Sequence, residues 1–343
     1  MEKLDRRDWR FVLACLAILV AGAAITAALF RRAFPEAAIE FRVPRAAARA
    51  QAERFLKDRR RPIEGTRFAG RFGVDEEPKV YLERELGLER ASRLYGKEAK
   101  IWRWDMRWFR SAVKEEERVS ITPLGNLVAW ESVRREDAPG EHLPRERAKS
   151  LAAAFLAERG LDASVLTPID SFPTERPKRT DWTFVDERPG FRMKDATVRY
   201  RTTVAGGEVV AFDEFIHVPE AWQRDYRTLR SKNEAAGQAA TFGLLLTALA
   251  MAGVLLSRIS RKDVRWGIVG GFGLAGFILA FLSTLNNLPL TLYEYDTASP
   301  LSSHLTNHLV LGILGALAAG AGIACVIASA EPVYRQRFPG QLS

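Results

Sequence analysis

The stretch WGIVGGFGLAGFILAFLSTL, residues 266–285, contains no Lys, Arg, Asp or Glu. At about 1.5 Å of rise per residue a helix of this length reaches roughly 30 Å, the thickness of a bilayer's hydrocarbon core. Working outward, three more runs have the same character: 11–30 before it, then about 239–256, and about 309–328 after it. Across all 343 residues, 47% hydrophobic and 27% charged describe an ordinary soluble protein, but the average conceals an uneven spread. No Lys or Arg lies between Arg265 and Arg335, and no charge of either sign between Arg10 and Arg31. A purely soluble protein is therefore excluded. The only two cysteines, Cys15 and Cys325, sit inside apolar runs, which excludes a disulfide scaffold and a Cys-based zinc site.

The short connections orient the spans. Arg258, Arg261, Lys262 and Arg265 crowd the link between the second and third runs, which predicts a cytoplasmic loop. Residues 286–308 have no Lys or Arg and are expected outside, and Arg335 and Arg337 return the 329–343 tail to the cytoplasm. Counting back places residues 31–236 outside and residues 1–10 inside. The first span carries little of this, because Arg6, Arg7 and Arg10 are balanced by Arg31 and Arg32. Its second half is rich in small residues like a cleavage region, yet the apolar run exceeds a usual signal-peptide core, so a retained anchor is expected. A multi-pass membrane protein is the resulting expectation, with the bilayer as its first partner. The later spans are rich in Gly and Ala (Gly267, Gly270, Gly271, Gly273, Gly276; Gly312, Gly315, Gly320, Gly322), which predicts close packing with one another or with another protein's helices.

The segment between the first two spans repeats itself. Pro44-Arg45 opens a stretch with Ala48, Ala52, Phe55 and Leu56, and Pro144-Arg145 opens another with Ala148, Ala152, Phe155 and Leu156. The spacing i, i+4, i+7, i+8 is one face of a helix, and the second stretch follows the first by 100 residues at every position. A Trp-led alternating run comes next: Trp102, Trp104, Met106 and Trp108 in the first copy, Trp182 and Phe184 in the second. Each copy closes with a strand, a glycine turn and a strand: 117–122 and 127–130, matched by 197–203 and 209–215. The predicted architecture is four transmembrane helices plus an extracytoplasmic α+β domain. Its two helix-on-antiparallel-sheet repeats are 31–143, with an insertion at roughly 60–100, and 144–236, which includes a juxtamembrane segment. Phe55 and Phe155 are each expected to be buried against their own sheet, with Arg59 and Arg159 exposed.

Such a unit resembles the PepSY repeat, a small module found outside bacterial membranes and in protease propeptides. The whole order is similar to the N-terminal portion of large bacterial CPBP-family (CAAX-protease and bacteriocin-processing) intramembrane endopeptidases. The residues that carry this are Phe34-Pro35-Glu36-Ala37, the Tyr-Leu-Glu-Arg-Glu-Leu-Gly stretch at 81–87, Trp102-Arg103-Trp104, Val218-Pro219-Glu220-Ala221-Trp222 and Leu229-Arg230-Ser231-Lys232-Asn233, then three spans. The family's catalytic Glu-Glu-x-x-x-Arg is missing, since Tyr81 follows Glu76-Glu77 and Ser120 follows Glu115-Glu116 at the arginine position. No catalytic residue is carried over. The resemblance implies a fragment of such a peptidase or a stand-alone form of its accessory region.

The candidate site residues are few. His304 and His308 lie one helical turn apart, with Glu294 and Asp296 in the same loop, a pattern that can hold a metal. Hydrolysis by a zinc peptidase would need Glu where Leu305 stands, and the alternative is a pair of interfacial histidines at a helix start. The Trp102–Trp108 run, interleaved with Arg103, Arg107 and Arg110, has the alternation of a strand with one aromatic core face. An outside location makes nucleic acid a poor partner. Arg224, Arg227, Arg230 and Lys232 precede the second span, either touching anionic headgroups or forming a solvated helix face. No apolar run contains an ionisable residue of the kind that marks a proton relay or intramembrane catalysis. The expected function is thus a sensory or regulatory membrane module acting on a membrane protein or peptide. The rival is a stand-alone envelope-binding protein; no cofactor is indicated.

Overall fold

The computed structural model describes residues 6–34, 39–95 and 97–338. They form two compact units: Met1–Glu64 with Phe72–Met106 and Glu117–Val218, and Gly65–Arg71 with Arg107–Glu116 and Pro219–Ser343.

Repeated stretches become repeated helices, α2 (Arg45–Asp58) and α5 (Arg145–Glu158). Pro44 and Pro144 are the N-caps, with extended ψ of 165° and 151°. Their carbonyls accept the first helical bonds, from the Ala48 and Ala148 amides, as an N-cap carbonyl should. After α2 come β1 (Arg67–Val74), α3 (Glu76–Leu86), α4 (Leu88–Leu94), β2 (Trp102–Phe109), β3 (Glu116–Ile121) and β4 (Leu127–Val133). After α5 come β5 (Thr167–Arg176), β6 (Arg179–Met193), β7 (Ala196–Ala205) and β8 (Glu208–His217). The eight strands make one antiparallel sheet in the order β1-β2-β3-β4-β8-β7-β6-β5, so each copy supplies four consecutive strands and the copies join at β4–β8.

Each copy thus has one strand more than the sequence reading assigned, and both extra strands are at the ends of the sheet. β1 carries Gly73 because a Cβ there would lie 2.6 Å from the Asp105 carboxylate. β5 contains Pro168 and Pro173, paired with Asp186 and Trp182.

The core is shared between the copies. Trp130 and Phe212 are register partners across β4–β8, and Phe155 has its ring centroid 6.0 Å from the first and 5.5 Å from the second. Phe55 meets Trp130 edge-on at 5.3 Å and stays half-buried, whereas Phe155 is buried. Separate cores for the two repeats were the expectation; one continuous layer is the finding. Arg59 is not a free surface residue either: its guanidinium lies 4.5 Å from the Phe155 ring and bonds Glu158. Arg159 is half-buried, and burial, reinforced by nearby Arg59, pushes its pKa down. The opposite face of the sheet holds a ladder of charge: Arg103–Asp105 (3.0 Å), Arg118–Glu131 (3.2 Å), Arg201–Asp213 (3.4 Å) and Arg199–Glu187 (3.0 Å).

Four helices are long and apolar enough to cross a membrane, over Trp9–Phe30, Glu220–Ser260, Trp266–Tyr293 and Leu301–Arg337. The first lies within α1 (Arg6–Ala33). α6 (Glu220–Ser260) is one 41-residue helix, so the segment expected to end the second repeat is its first half. At about 1.5 Å per residue it measures roughly 60 Å, twice a hydrocarbon core. The loop predicted over 286–308 is mostly helical: α7 (Trp266–Asn286) is followed by α8 (Leu288–Tyr293), and α9 (Leu301–Arg337) starts at the Pro300 cap. Proline near the start of a helix explains both, since its fixed φ suits a helix N-terminus.

α7 and α9 pack through glycine. A Cβ on Gly320 would meet the Gly273 carbonyl at 2.7 Å, one on Gly276 would meet Ile323 at 2.4 Å, and one on Gly312 would meet Thr284 at 2.2 Å. Small residues bring the helices this close. Gly267, Gly270, Gly271, Gly315 and Gly322 face open space instead. Ser329 Oγ donates to the Met251 carbonyl and ties α9 to α6.

Candidate functional site

Residues 107–116, the end of β2, the turn after it and the first residue of β3, belong to the helical unit, and what they do there is governed by one buried cation. Arg107 and Glu116 side chains are 8% and 2% exposed, with guanidinium nitrogens 2.6 Å from the Glu116 carboxylate. Arg107 Nη1 also donates to the carbonyls of Tyr293 (2.8 Å), the last residue of α8, and Tyr295 (2.6 Å), just beyond it. These two acceptors sit at a helix end, where carbonyls lack intrahelical donors, so a buried cation satisfies them. Ser111 Oγ accepts from the Leu301 amide, an orphan donor at the start of α9. Tyr295 is buried against Phe109, with centroids 5.4 Å apart, and its hydroxyl donates to the Ser299 carbonyl. Ala69 and Leu301 complete this small core.

Tyr295 reaches the histidines: its ring centroid is 5.2 Å from that of His304. His304 and His308 are half-buried on the first turns of α9 and line a cleft of about 460 Å³ with Thr284, Asn287, Thr291 and Glu294. His304 Nε2 lies 3.2 Å from the Thr291 carbonyl. His308 Nε2 lies 3.3 Å from the Thr284 carbonyl, and its Nδ1 3.3 Å from Thr291 Oγ1. Nε2 of each ring donates to its carbonyl, and Nδ1 of His308 faces the Thr291 hydroxyl.

The carboxylates expected to complete a metal shell are turned elsewhere. Glu294 faces Arg71 at 3.7 Å, and Asp296 accepts from the Ala298 amide at 2.9 Å. Among the described residues no three His, Cys, Asp or Glu side chains are grouped so as to hold a metal. Two imidazoles fall short of the three protein ligands of a catalytic zinc site.

The other sequence candidates resolve into structure. Trp102, Met106 and Trp108 are buried, and Trp104 donates its indole N–H to the Val43 carbonyl. Arg107, interleaved with that run, is the buried cation described above. Arg224 faces Glu220 at 3.7 Å, and Arg227, Arg230 and Lys232 are exposed along the polar half of α6. At the far end of the bundle Asp263 binds Arg335 (2.8 Å) and Arg258 (3.2 Å), which hold its pKa down, and Glu331 binds Arg335 (2.9 Å). No local signal marks Arg107: its acceptors lie 186 and 188 residues away.

Compared with protein-family models, curated proteins and solved structures, the chain matches none. The class defined by its own features is a chain with four membrane-length apolar helices and an eight-stranded antiparallel sheet faced by helices, compatible with a multi-pass membrane protein.

Proposed function

We propose that the chain is a sensory or regulatory module of a bacterial inner membrane, of the kind that forms the non-catalytic N-terminal region of a CPBP-family intramembrane peptidase. In this reading the sheet, built of two PepSY-like repeats, lies on the extracytoplasmic side and takes up a peptide or envelope ligand. The helices pass the result to a membrane partner. The observation that carries it is Arg107: a residue of a sheet strand is locked, with its charge partner, onto the carbonyls that end α8. In this reading the lock ties the end of β2 that belongs to the helical unit to the α8–α9 connection. Orientation is supported by the gathering of Arg258, Arg265 and Arg335 at one end of the bundle through Asp263 and Glu331.

The test is the DNA that follows codon 343. An in-frame continuation with Glu-Glu-x-x-x-Arg on an apolar helix is expected. In that longer protein, Arg107→Met should change turnover of a membrane-embedded substrate at unchanged expression. A purified 1–343 chain that cleaves such substrates by itself would overturn the regulatory reading.

A further inference from the structure

α6 and α9 enclose an apolar groove of about 540 Å³. Its walls repeat at helical spacing: Ala250, Met251 and Val254 on α6 face Val326, Ala330 and Val333 on α9. The Ser329–Met251 bond closes the wall between them, and Tyr334 and Arg337 stand at the end of the groove nearest the α9 C-terminus. On helices that span a bilayer, such a groove opens to lipid rather than water.

The charge at that end is unbalanced. Six cations (Arg258, Arg261, Lys262, Arg265, Arg335 and Arg337) share two carboxylates, Asp263 and Glu331. Asp263 is taken by Arg258 and Arg335, and Glu331 by Arg335 and Arg265. Among the described residues no ion pair reaches Arg261, Lys262 or Arg337, and of these three only Arg337 lines the groove.

We propose that this groove is a binding site for an anionic phospholipid, one acyl chain lying between α6 and α9 and the headgroup anion paired with Arg337. The apolar walls select a lipid tail, and the unpaired guanidinium at the mouth, with a donor geometry suited to phosphate, selects an anionic head over a zwitterionic one. The inference rests on α6 and α9 being spans; the reporter fusions at Gly140 and Ser260 discussed below test α6 separately, and a fusion after Ser343, expected inactive when the one at Ser299 is active, tests α9.

The experiment is native mass spectrometry of the purified full chain with phosphatidylglycerol and phosphatidylcholine of identical acyl chains. Phosphatidylglycerol should be retained preferentially. Arg337→Gln should reduce that preference roughly fivefold, the effect of one cation at a membrane surface. Arg261→Gln removes the same charge outside the groove and should leave the preference intact. Ala250→Trp and Ala330→Trp, at exposed positions that fill the groove, should reduce retention of both lipids. Equal retention of the two lipids in the wild-type chain would overturn the site. So would equal losses from Arg261→Gln and Arg337→Gln, or tryptophan variants that retain lipid like the wild type, since each describes unselective surrounding lipid.

Discussion

Trp130 and Phe212 face each other across the junction of the two halves of the sheet, one residue from each copy, and Phe155 packs on both. The duplicated sequence has therefore built one core, with its centre where the copies meet.

Phe155 should accordingly be the more costly deletion. Phe155→Ala removes one buried ring that packs on both copies and should cost about 3–5 kcal/mol, with Phe55→Ala costing clearly less because that ring is half-buried. Denaturant unfolding of the full chain in micelles, followed by tryptophan fluorescence, ranks them. Equal losses would argue for two separate cores.

Removing Arg107 takes from buried Glu116 the guanidinium that lies 2.6 Å from its carboxylate. Arg107→Met should cost about 3–5 kcal/mol, as breaking a buried pair does, and adding Glu116→Leu should recover part of it. Hydrogen exchange should accelerate over residues 288–305 in the single variant. Unchanged exchange there would show that Arg107 holds nothing in place.

Glu117 is half-buried, and desolvation raises its pKa, against the hydrogen bonds donated by Ser132 Oγ and Trp130 Nε1 that lower it. The native chain therefore keeps this proton to higher pH than the unfolded chain does. Its contribution to stability is complete below the ordinary Glu range and is lost as pH rises through the raised value. Glu117→Gln should gain on the wild type as pH is raised from about 4 to about 8, in unfolding measured at each pH. A difference that stays flat across that range would contradict the assignment.

Gly320 and Gly315 offer a matched pair on α9. Gly320→Leu places side-chain carbon against the Gly273 carbonyl and Phe277, whereas Gly315→Leu points into open space. The first should separate α7 from α9, read as a lower melting temperature and faster proteolysis in micelles, and the second should change neither. If both variants melt like the wild type, the glycine contact is not what joins these helices.

For topology, a reporter active only outside the cytoplasm should work when fused at Gly140 or Ser299 and fail at Ser260. Activity at Ser260 would invert the proposed orientation.

Sequence patterning exposed what depends on near neighbours in the chain. Helical spacing located α2 and α5, alternation around Gly125 and Gly206-Gly207 located two hairpins, and the lack of charge located the four apolar helices. β1 escaped because Gly70 and Gly73 break its apolar pattern, and β5 because it contains two prolines and exposed Ile169 and Phe172. The packing glycines of α7 and α9 could not be separated from the outward ones, since composition carries no rotational phase. The Arg107 lock was invisible because it joins positions far apart in the chain, and the histidine pair was visible only as a spacing.

β5 ends the sheet, and an end strand is where a second chain would ordinarily add itself. Pro168 and Pro173 interrupt it at two points, each removing an N–H that an arriving strand would need. Ile169 and Phe172, exposed beside them, would otherwise make this edge adhesive. In the proposed membrane setting, chains held in one bilayer would meet at high local concentration, and the two prolines would keep such meetings from growing into a shared, ever-lengthening sheet.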